Sequence, residues 1–251
     1  KKSLGQNFIQ DKNFILKLNT LILSDIYTNI FEIGPGRGAL TEHLVKKEFR
    51  KLFLIEKDIS LCNQLEKKYK DNESVFILNY DALEYDYETV NKNQKSLIVG
   101  NLPFNISSQL LINWITNYSW PPFYQKMILM FQKEVANRII AKPNQKSYSR
   151  ISVITQARCK VKPLLIAPSN IFFPKPKVDG AVLEFTPISK YADLNILNLQ
   201  ILLRKSFEHR RKKIKTSLKD HNHLLKHLGI DENLRAENIS VEDYCKLASA
   251  I

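Results

Sequence analysis

The sequence over residues 29–45 reads Asn29-Ile30-Phe31-Glu32-Ile33-Gly34-Pro35-Gly36-Arg37-Gly38-Ala39-Leu40-Thr41-Glu42-His43-Leu44-Val45. The first five residues indicate a short strand, the next five a glycine loop, and residues 39–45 a helix. A strand, a glycine loop and a helix in this order form the nucleotide-binding unit of an α/β sheet. Glycine lets the backbone approach a ligand closely, and a helix start offers unpaired amides. We therefore predict an α/β fold with a cofactor at Gly34 and Gly36.

The glycine loop does not by itself identify the cofactor. Residues 34–39 also fit the looser dinucleotide pattern Gly-x-Gly-x-x-Ala. A tight turn that binds no ligand is a further alternative. The choice between them depends on residues outside the loop.

Acidic residues follow the next two predicted strands. Glu56 comes after the apolar run 51–55, where an acid that binds ribose hydroxyls is expected, and Asp81 follows the run 74–78. Either acid alone is better explained as a solvated or helix-capping carboxylate. A fourth strand-like run ends at Asn101. Ligands of open α/β sheets bind outside the carboxyl ends of the strands, so Glu32, Glu56, Asp81 and Asn101 should converge on one crevice.

The tetrapeptide Asn101-Leu102-Pro103-Phe104 closes another strand-like run, residues 96–100. The side-chain oxygen of Asn101 and the backbone carbonyl of Leu102 can accept both hydrogens of an amine. Pro103 adds rigidity, and the ring of Phe104 can stack on a flat base. These four residues are predicted to form the catalytic site for an amine-bearing base such as adenine.

The motifs, taken in order, resemble those of the ribosomal RNA adenine dimethyltransferases, which use S-adenosylmethionine. Later segments resemble the housekeeping small-subunit (KsgA) branch of that family, so the resemblance spans nearly the whole chain. Phe104 departs from the family pattern, in which tyrosine is frequent, but it keeps the stacking face. The segments that carry the resemblance are residues 5–8, 32–36, 56, 81, 101–107, 131–138, 173–179 and 235–240.

The resemblance implies a Rossmann-like methyltransferase sheet, a small C-terminal helical domain and S-adenosylmethionine as the cofactor. It also implies that the substrate is a pair of adjacent adenosines near the 3′ end of small-subunit ribosomal RNA, within an immature small ribosomal subunit. Glu32 would help to fix the methionine end of the cofactor. The other positions that the resemblance places in contact with the cofactor are Asn7, Ile9, Gly34, Glu56, Asp81 and Asn101.

The charge balance favours a polyanionic partner. The 251 residues include 38 Lys and Arg against 25 Asp and Glu, a net charge of +13. Much of the excess lies in residues 204–219, where apolar residues at roughly helical spacing predict one basic helix with a packed face. A solvated helix without a partner is the alternative. The predicted RNA-binding residues are Arg204, Arg210, Arg211, Lys212, Lys213 and Lys215.

Two domains are expected. Residues 20–187 alternate strand-like and helix-like runs, as a parallel sheet with crossover helices requires. By resemblance, residues 1–19 are an N-terminal arm over the cofactor site. Together with residues 20–187, this arm forms a methyltransferase domain over residues 1–187. From residue 188, helical leucine and lysine patterns predict a basic, RNA-binding domain over residues 188–251.

The three cysteines are scattered, which argues against a zinc site or a disulfide framework and suits a reducing cytoplasm. A helix end in solvent is the preferred interpretation of His221, His223 and His227, so no metal is predicted. The sequence shows neither a signal peptide nor an apolar run long enough to span a membrane. We expect a cytoplasmic monomer without a membrane partner.

Three alternative functions remain open from the sequence. A nicotinamide-dependent oxidoreductase would use the glycine loop but leave residues 101–104 without a role. A noncatalytic RNA-binding assembly factor would not need the side chain of Asn101. Within the methyltransferases, the large-subunit (23S) enzymes that confer macrolide resistance are the nearest alternative, and residues 132–138 and 235–240 favour the small-subunit branch.

Overall fold

The computed structural model describes residues 7–22, 27–89 and 95–251. Residues 1–6 of the predicted arm, including Gly5 and Gln6, lie outside the described residues. The strands of the described part are β1 (Phe8–Ile9), β2 (Asn29–Ile33), β3 (Lys51–Glu56), β4 (Val75–Asn79), β5 (Ser96–Gly100), β6 (Lys126–Gln132), β7 (Cys159–Ala167), β8 (Phe172–Phe173) and β9 (Gly180–Pro187). The α-helices are α1 (Lys12–Ile22), α2 (Thr41–Leu44), α3 (Ile59–Tyr69), α4 (Ser107–Thr116), α5 (Lys133–Ile139), α6 (Arg150–Arg158), α7 (Ile196–Glu208), α8 (Ile214–Ser217), α9 (Asn222–His227) and α10 (Val241–Ser249).

The main sheet of the described residues has the strand order β4-β3-β2-β5-β6-β9-β7. The chain runs outward from β2 to β3 and β4, then returns to place β5 on the other side of β2. Ligands of such sheets bind where the strand order reverses, at the carboxyl ends of the strands. The predicted α/β, Rossmann-like fold class is confirmed, and the reversal lies between Gly34 and Asn101.

The prediction of a parallel sheet is wrong for the last two strands. β9 is antiparallel to both β6 and β7, and β7 was not predicted. Residues 168–179, which connect β7 to β9, hold a 3₁₀ turn and the short β8 but no crossover helix. A connection without a crossover joins antiparallel neighbours.

The sheet separates two clusters of buried apolar side chains. On β2, Phe31 and Ile33 face one cluster and Ile30 faces the other, as alternation along a strand requires. The cluster around Phe31 also contains Leu199 of α7 and Tyr244 of α10. Residues 188–251 are therefore helical and share a continuous core with the sheet, and their status as a separate domain stays a prediction.

Candidate functional site

A cavity of about 400 Å³ opens at the carboxyl ends of β2, β3, β4 and β5. Its lining combines the glycine loop, the acidic residues after the strands and the segment after β5. The structure thus brings every predicted cofactor-binding and catalytic residue to one place. These lining residues are Asn7, Ile9, Glu32, Gly34, Gly36, Glu56, Asp81, Asn101, Leu102, Pro103 and Phe104.

The glycine loop has a backbone that other residues rarely adopt. Gly34, Gly36 and Gly38 have φ values of +66°, +59° and +80°. A Cβ atom on Gly36 would lie 2.8 and 2.9 Å from two ring atoms of Phe8, so the arm packs directly on this glycine. The left-handed turn also delays the helix, since α2 covers only Thr41–Leu44 instead of the predicted residues 39–45.

Glu32 is 3% exposed and accepts a hydrogen bond from Thr41 Oγ1 at 2.7 Å. Burial raises the pKa of Glu32 to about 7; the hydrogen bond from Thr41 opposes this shift and the charge of Glu56 adds to it. A buried carboxylate of this kind favours a cationic ligand.

Glu56 joins the glycine loop to the end of β3. Its Oε2 accepts from the amide of Gly36 at 3.1 Å, and its Oε1 accepts from the amide of Asp58 at 2.9 Å. Burial raises the pKa of Glu56 against the effect of these two hydrogen bonds. The carboxylate is thereby fixed beside the loop, with lone pairs left for ligand hydroxyls.

Asp81 is paired with a cation that the sequence did not indicate. Its Oδ2 lies 2.6 Å from Nζ of Lys57, and its Oδ1 accepts from the amide of Leu83 at 2.9 Å. Burial acts to raise the pKa of Asp81, but these hydrogen bonds outweigh burial and lower it. Asp81 is therefore an ionised acceptor at the rim of the cavity.

Asn101 is held by the N-terminal arm. Its Nδ2 donates to the backbone carbonyl of Asn7 at 2.8 Å, which determines the direction in which the amide group faces. In the described part of the chain, no group donates to Oδ1 of Asn101 or to the carbonyl of Leu102. A Cβ on Gly100 would lie 2.9 Å from the carbonyl of Ile33, so glycine is needed where β5 enters this loop.

Sequence reasoning missed Phe173 as a lining residue. Phe173 is 58% exposed at the cavity, on β8, which pairs antiparallel with β1 through Phe8 and Ile9. An aromatic pair followed by proline, Phe172-Phe173-Pro174, was the signal that the sequence offered. Phe104 and Phe173 thus give the cavity two rings for stacking.

The prediction of one basic helix over residues 204–219 is wrong. α7 ends at Glu208, residues 209–213 leave the helix, and α8 begins at Ile214, whose amide donates to the carbonyl of Leu234. The apolar face is nonetheless packed, since Leu203, Ile214 and Leu218 are buried.

The predicted RNA-binding residues differ in their partners. Arg210 forms an ion pair with Glu237 at 2.6 Å, and Lys215 forms one with Glu232 at 3.0 Å. Lys213 donates to the side chain of Asn233. Within the described ranges, Arg204, Arg211 and Lys212 have exposed side chains and form no ion pair.

Comparison with known proteins covers the whole chain. The family model described as ribosomal RNA adenine dimethylase matches residues 1–251. A ribosomal RNA small subunit methyltransferase A of Blochmanniella floridana is 38% identical over 258 residues, covering 100% of this chain and 93% of the relative. The protein of the same name from Pelagibacter ubique is 38% identical over 253 residues, covering 98% of this chain and 95% of the relative.

Two solved structures share the fold over nearly the full length. A dimethyladenosine transferase from Plasmodium falciparum has a TM-score of 0.82 at 24% identity, covering 96% of this chain and 95% of the other. The 23S rRNA methyltransferase ErmE has a TM-score of 0.72 at 20% identity, with 97% and 98% covered. Among the described residues, no helix combines the length and apolar character needed to cross a bilayer.

Proposed function

Because the chain belongs to the ribosomal RNA adenine dimethylase family, we propose that it transfers methyl groups from S-adenosylmethionine to two adjacent adenosines near the 3′ end of small-subunit ribosomal RNA. Relatives that match the full chain carry the name small subunit methyltransferase, which supports this choice of subunit. The observation that carries the proposal is the arrangement at Asn101, whose amide nitrogen is held by Asn7 while its oxygen accepts no hydrogen bond from the described residues.

The cavity has the groups that this cofactor requires. Glu56, fixed beside the glycine loop, would bind the ribose hydroxyls, and Asp81 would accept from the adenine amine. Glu32 would face the amino group of the methionine end. The bound cofactor supplies a methyl group already activated on a sulfonium.

The chain's own contribution to transfer is orientation of the target amine. The lone pair of this nitrogen is delocalised into the adenine ring, so the nitrogen is a poor nucleophile. Oδ1 of Asn101 and the carbonyl of Leu102 would accept its two hydrogens and localise the lone pair. Full preorganisation of this kind contributes roughly 7 to 11 kcal/mol. Phe104 and Phe173 would stack on the flipped-out base.

Dimethylation requires the pocket to accept a monomethylated amine, which has a single hydrogen left for two acceptors. Oδ1 of Asn101 or the carbonyl of Leu102 can accept that single hydrogen, so the same pair of acceptors would serve both steps.

We propose that the protein is a cytoplasmic monomer and that its partner is an immature small ribosomal subunit. The large-subunit alternative is not favoured, because the 23S rRNA methyltransferase ErmE is only 20% identical to this chain, a likeness that shows the fold alone.

The direct test is transfer of labelled methyl from S-adenosylmethionine to unmethylated small ribosomal subunits and, in parallel, to large-subunit RNA. We expect nucleoside mass spectrometry to find dimethyladenosine in the small subunit alone. Label only in large-subunit RNA would overturn the choice of subunit. Monomethyladenosine as the sole product of an exhaustive reaction would overturn dimethylation.

The salt dependence of RNA binding should separate the free cations from the paired ones. Each lost phosphate contact lowers the slope of log affinity against log salt by roughly 0.7 to 0.9. We expect Arg211→Gln and Lys212→Gln each to lower the slope by about this amount. Lys215→Gln is the matched control, because Lys215 is already paired with Glu232 and should change the slope less.

Binding of a small-subunit RNA hairpin would be measured by fluorescence anisotropy over a range of salt concentrations. Unchanged slopes in both the Arg211 and Lys212 variants would show that the turn over residues 209–213 does not contact RNA phosphates.

Arg210→Gln should also lower the stability of the fold, because the Arg210 side chain donates hydrogen bonds to Glu237 and to the carbonyl of Lys146.

A further inference from the structure

Thr41 is the first residue of α2, and its hydroxyl is directed at the acid under the cavity. Thr41 is fully buried, and its Oγ1 lies 2.7 Å from Oε2 of Glu32. Among the described residues, this is the one hydrogen bond that the Glu32 carboxyl group receives. Sequence analysis gave Thr41 no role.

Among the described residues, the groups that act on Glu32 include no compensating positive charge. Glu56 faces it from β3, and Tyr69 faces it from the end of α3. The Tyr69 hydroxyl is buried and has no hydrogen-bond partner within the described ranges. In the described ranges, no Lys, Arg or His forms an ion pair with Glu32. A buried carboxylate without a cation is costly, so the free protein favours its protonated form.

We propose that Thr41 is a positioning residue that holds the Glu32 carboxylate for the cationic amino group of the cofactor, and that cofactor binding releases the proton of Glu32. The inference rests on the proposed function, because it assigns Glu32 to the amino end of S-adenosylmethionine. The hydroxyl of Thr41 stabilises the charged form of Glu32 through its hydrogen bond, and the amino group of the cofactor would neutralise the negative charge.

The sign of the pH dependence follows from burial. Burial raises the pKa of Glu32 to about 7 in the free protein. A bound cation favours the carboxylate and lowers this pKa in the complex. Binding therefore releases a proton between the two pKa values, and the affinity falls by up to about tenfold for each pH unit below the free value. Above the free value, ionisation of Glu32 contributes no further change in affinity.

The test is titration calorimetry of the full chain with S-adenosylmethionine at about pH 6, 7 and 8, in buffers of different ionisation enthalpy. We expect proton release at the lower pH values and none at the highest. Thr41→Val removes the hydroxyl at nearly constant volume and should move the onset of the affinity loss upward by about one pH unit.

Three variants test the assignment. Thr41→Ser retains the hydroxyl and should restore the wild-type profile. Tyr69→Phe is the matched control, because it removes a hydroxyl near Glu32 that makes no hydrogen bond, and it should leave the profile unchanged. Glu32→Gln should bind more weakly and lose the pH dependence below about pH 7, since the titrating carboxyl group is gone.

Two results would overturn the inference. If the wild-type chain binds the cofactor at about pH 8 but binding at about pH 6 releases no proton, the proton linkage is refuted and the proposed cofactor site still stands. Identical profiles for the wild type and Thr41→Val would remove the role of Thr41. Absence of binding at every pH would instead overturn the proposed function, on which the inference rests.

Discussion

Asn101→Ala should lower methyl transfer by about 10³-fold, while affinity for S-adenosylmethionine stays within about tenfold, or about 1.4 kcal/mol. Alanine removes the acceptor Oδ1, so the amine keeps its lone pair delocalised into the ring. It also removes the hydrogen bond from Nδ2 to the carbonyl of Asn7, a net loss of about 1 kcal/mol for the arm. Single-turnover transfer and calorimetric binding, measured on the same preparation, separate the two effects.

Asn117→Ala is the remote control for this prediction, because Asn117 is an exposed amide at the C-terminal end of α4. It should transfer methyl groups at the wild-type rate. Substantial turnover by Asn101→Ala would sink the catalytic assignment of Asn101. If the Asn101→Ala variant supports assembly of the small ribosomal subunit without methylating its RNA, the noncatalytic assembly factor would be favoured.

Gly36→Ala should weaken cofactor binding by about tenfold to a hundredfold. Its new Cβ would lie within 3 Å of the Phe8 ring, and its φ of +59° is unfavourable for alanine. Relief of this clash must move the Phe8 ring, which lines the cavity, or the loop amide that donates to Glu56. The first movement changes the wall of the cavity and the second disturbs Glu56, the group proposed to bind the ribose. Calorimetry with S-adenosylmethionine would measure the loss of affinity.

Gly229→Ala separates backbone strain from the clash. Gly229 has a similar φ of +68°, but a Cβ there would meet nothing within 4 Å. We expect Gly229→Ala to lower the free energy of unfolding by about 1 to 2 kcal/mol and to bind the cofactor normally. Equal losses of cofactor affinity in the two alanine variants would show that contact between Gly36 and Phe8 does not support the site.

The sequence predicted the cavity well because strand ends and side-chain types are local properties. Apolar runs locate β2, β3 and β5, and the parallel register then places Glu32, Glu56 and Asn101 at one edge. β7 was missed because Lys160, Lys162 and Pro163 interrupt its apolar pattern. Such residues are typical of an edge strand, and β7 is at the edge of the sheet.

Other features were unpredictable because they depend on contacts between distant residues. The turn over residues 209–213 pairs with the segment around Arg235 and Glu237, which overrides a continuous helical pattern. The ion pair of Asp81 with Lys57 arises from the adjacency of β3 and β4, not from spacing along the chain. The hydrogen-bond and ion-pair partners of the predicted site residues therefore could not be predicted from the sequence.

The pairing of β1 with β8 has a consequence for the time at which the site is completed during synthesis. Phe8 and Ile9 pair with Phe173 and Phe172, which emerge from the ribosome far later. A nascent chain that ended before Phe172 would contain the glycine loop, Glu32, Glu56 and Asp81. It would lack β8, the strand with which β1 pairs. The pairing that brings Phe173 to the cavity is thus a long-range contact, and a chain that ended before Phe172 would lack this part of the cavity wall.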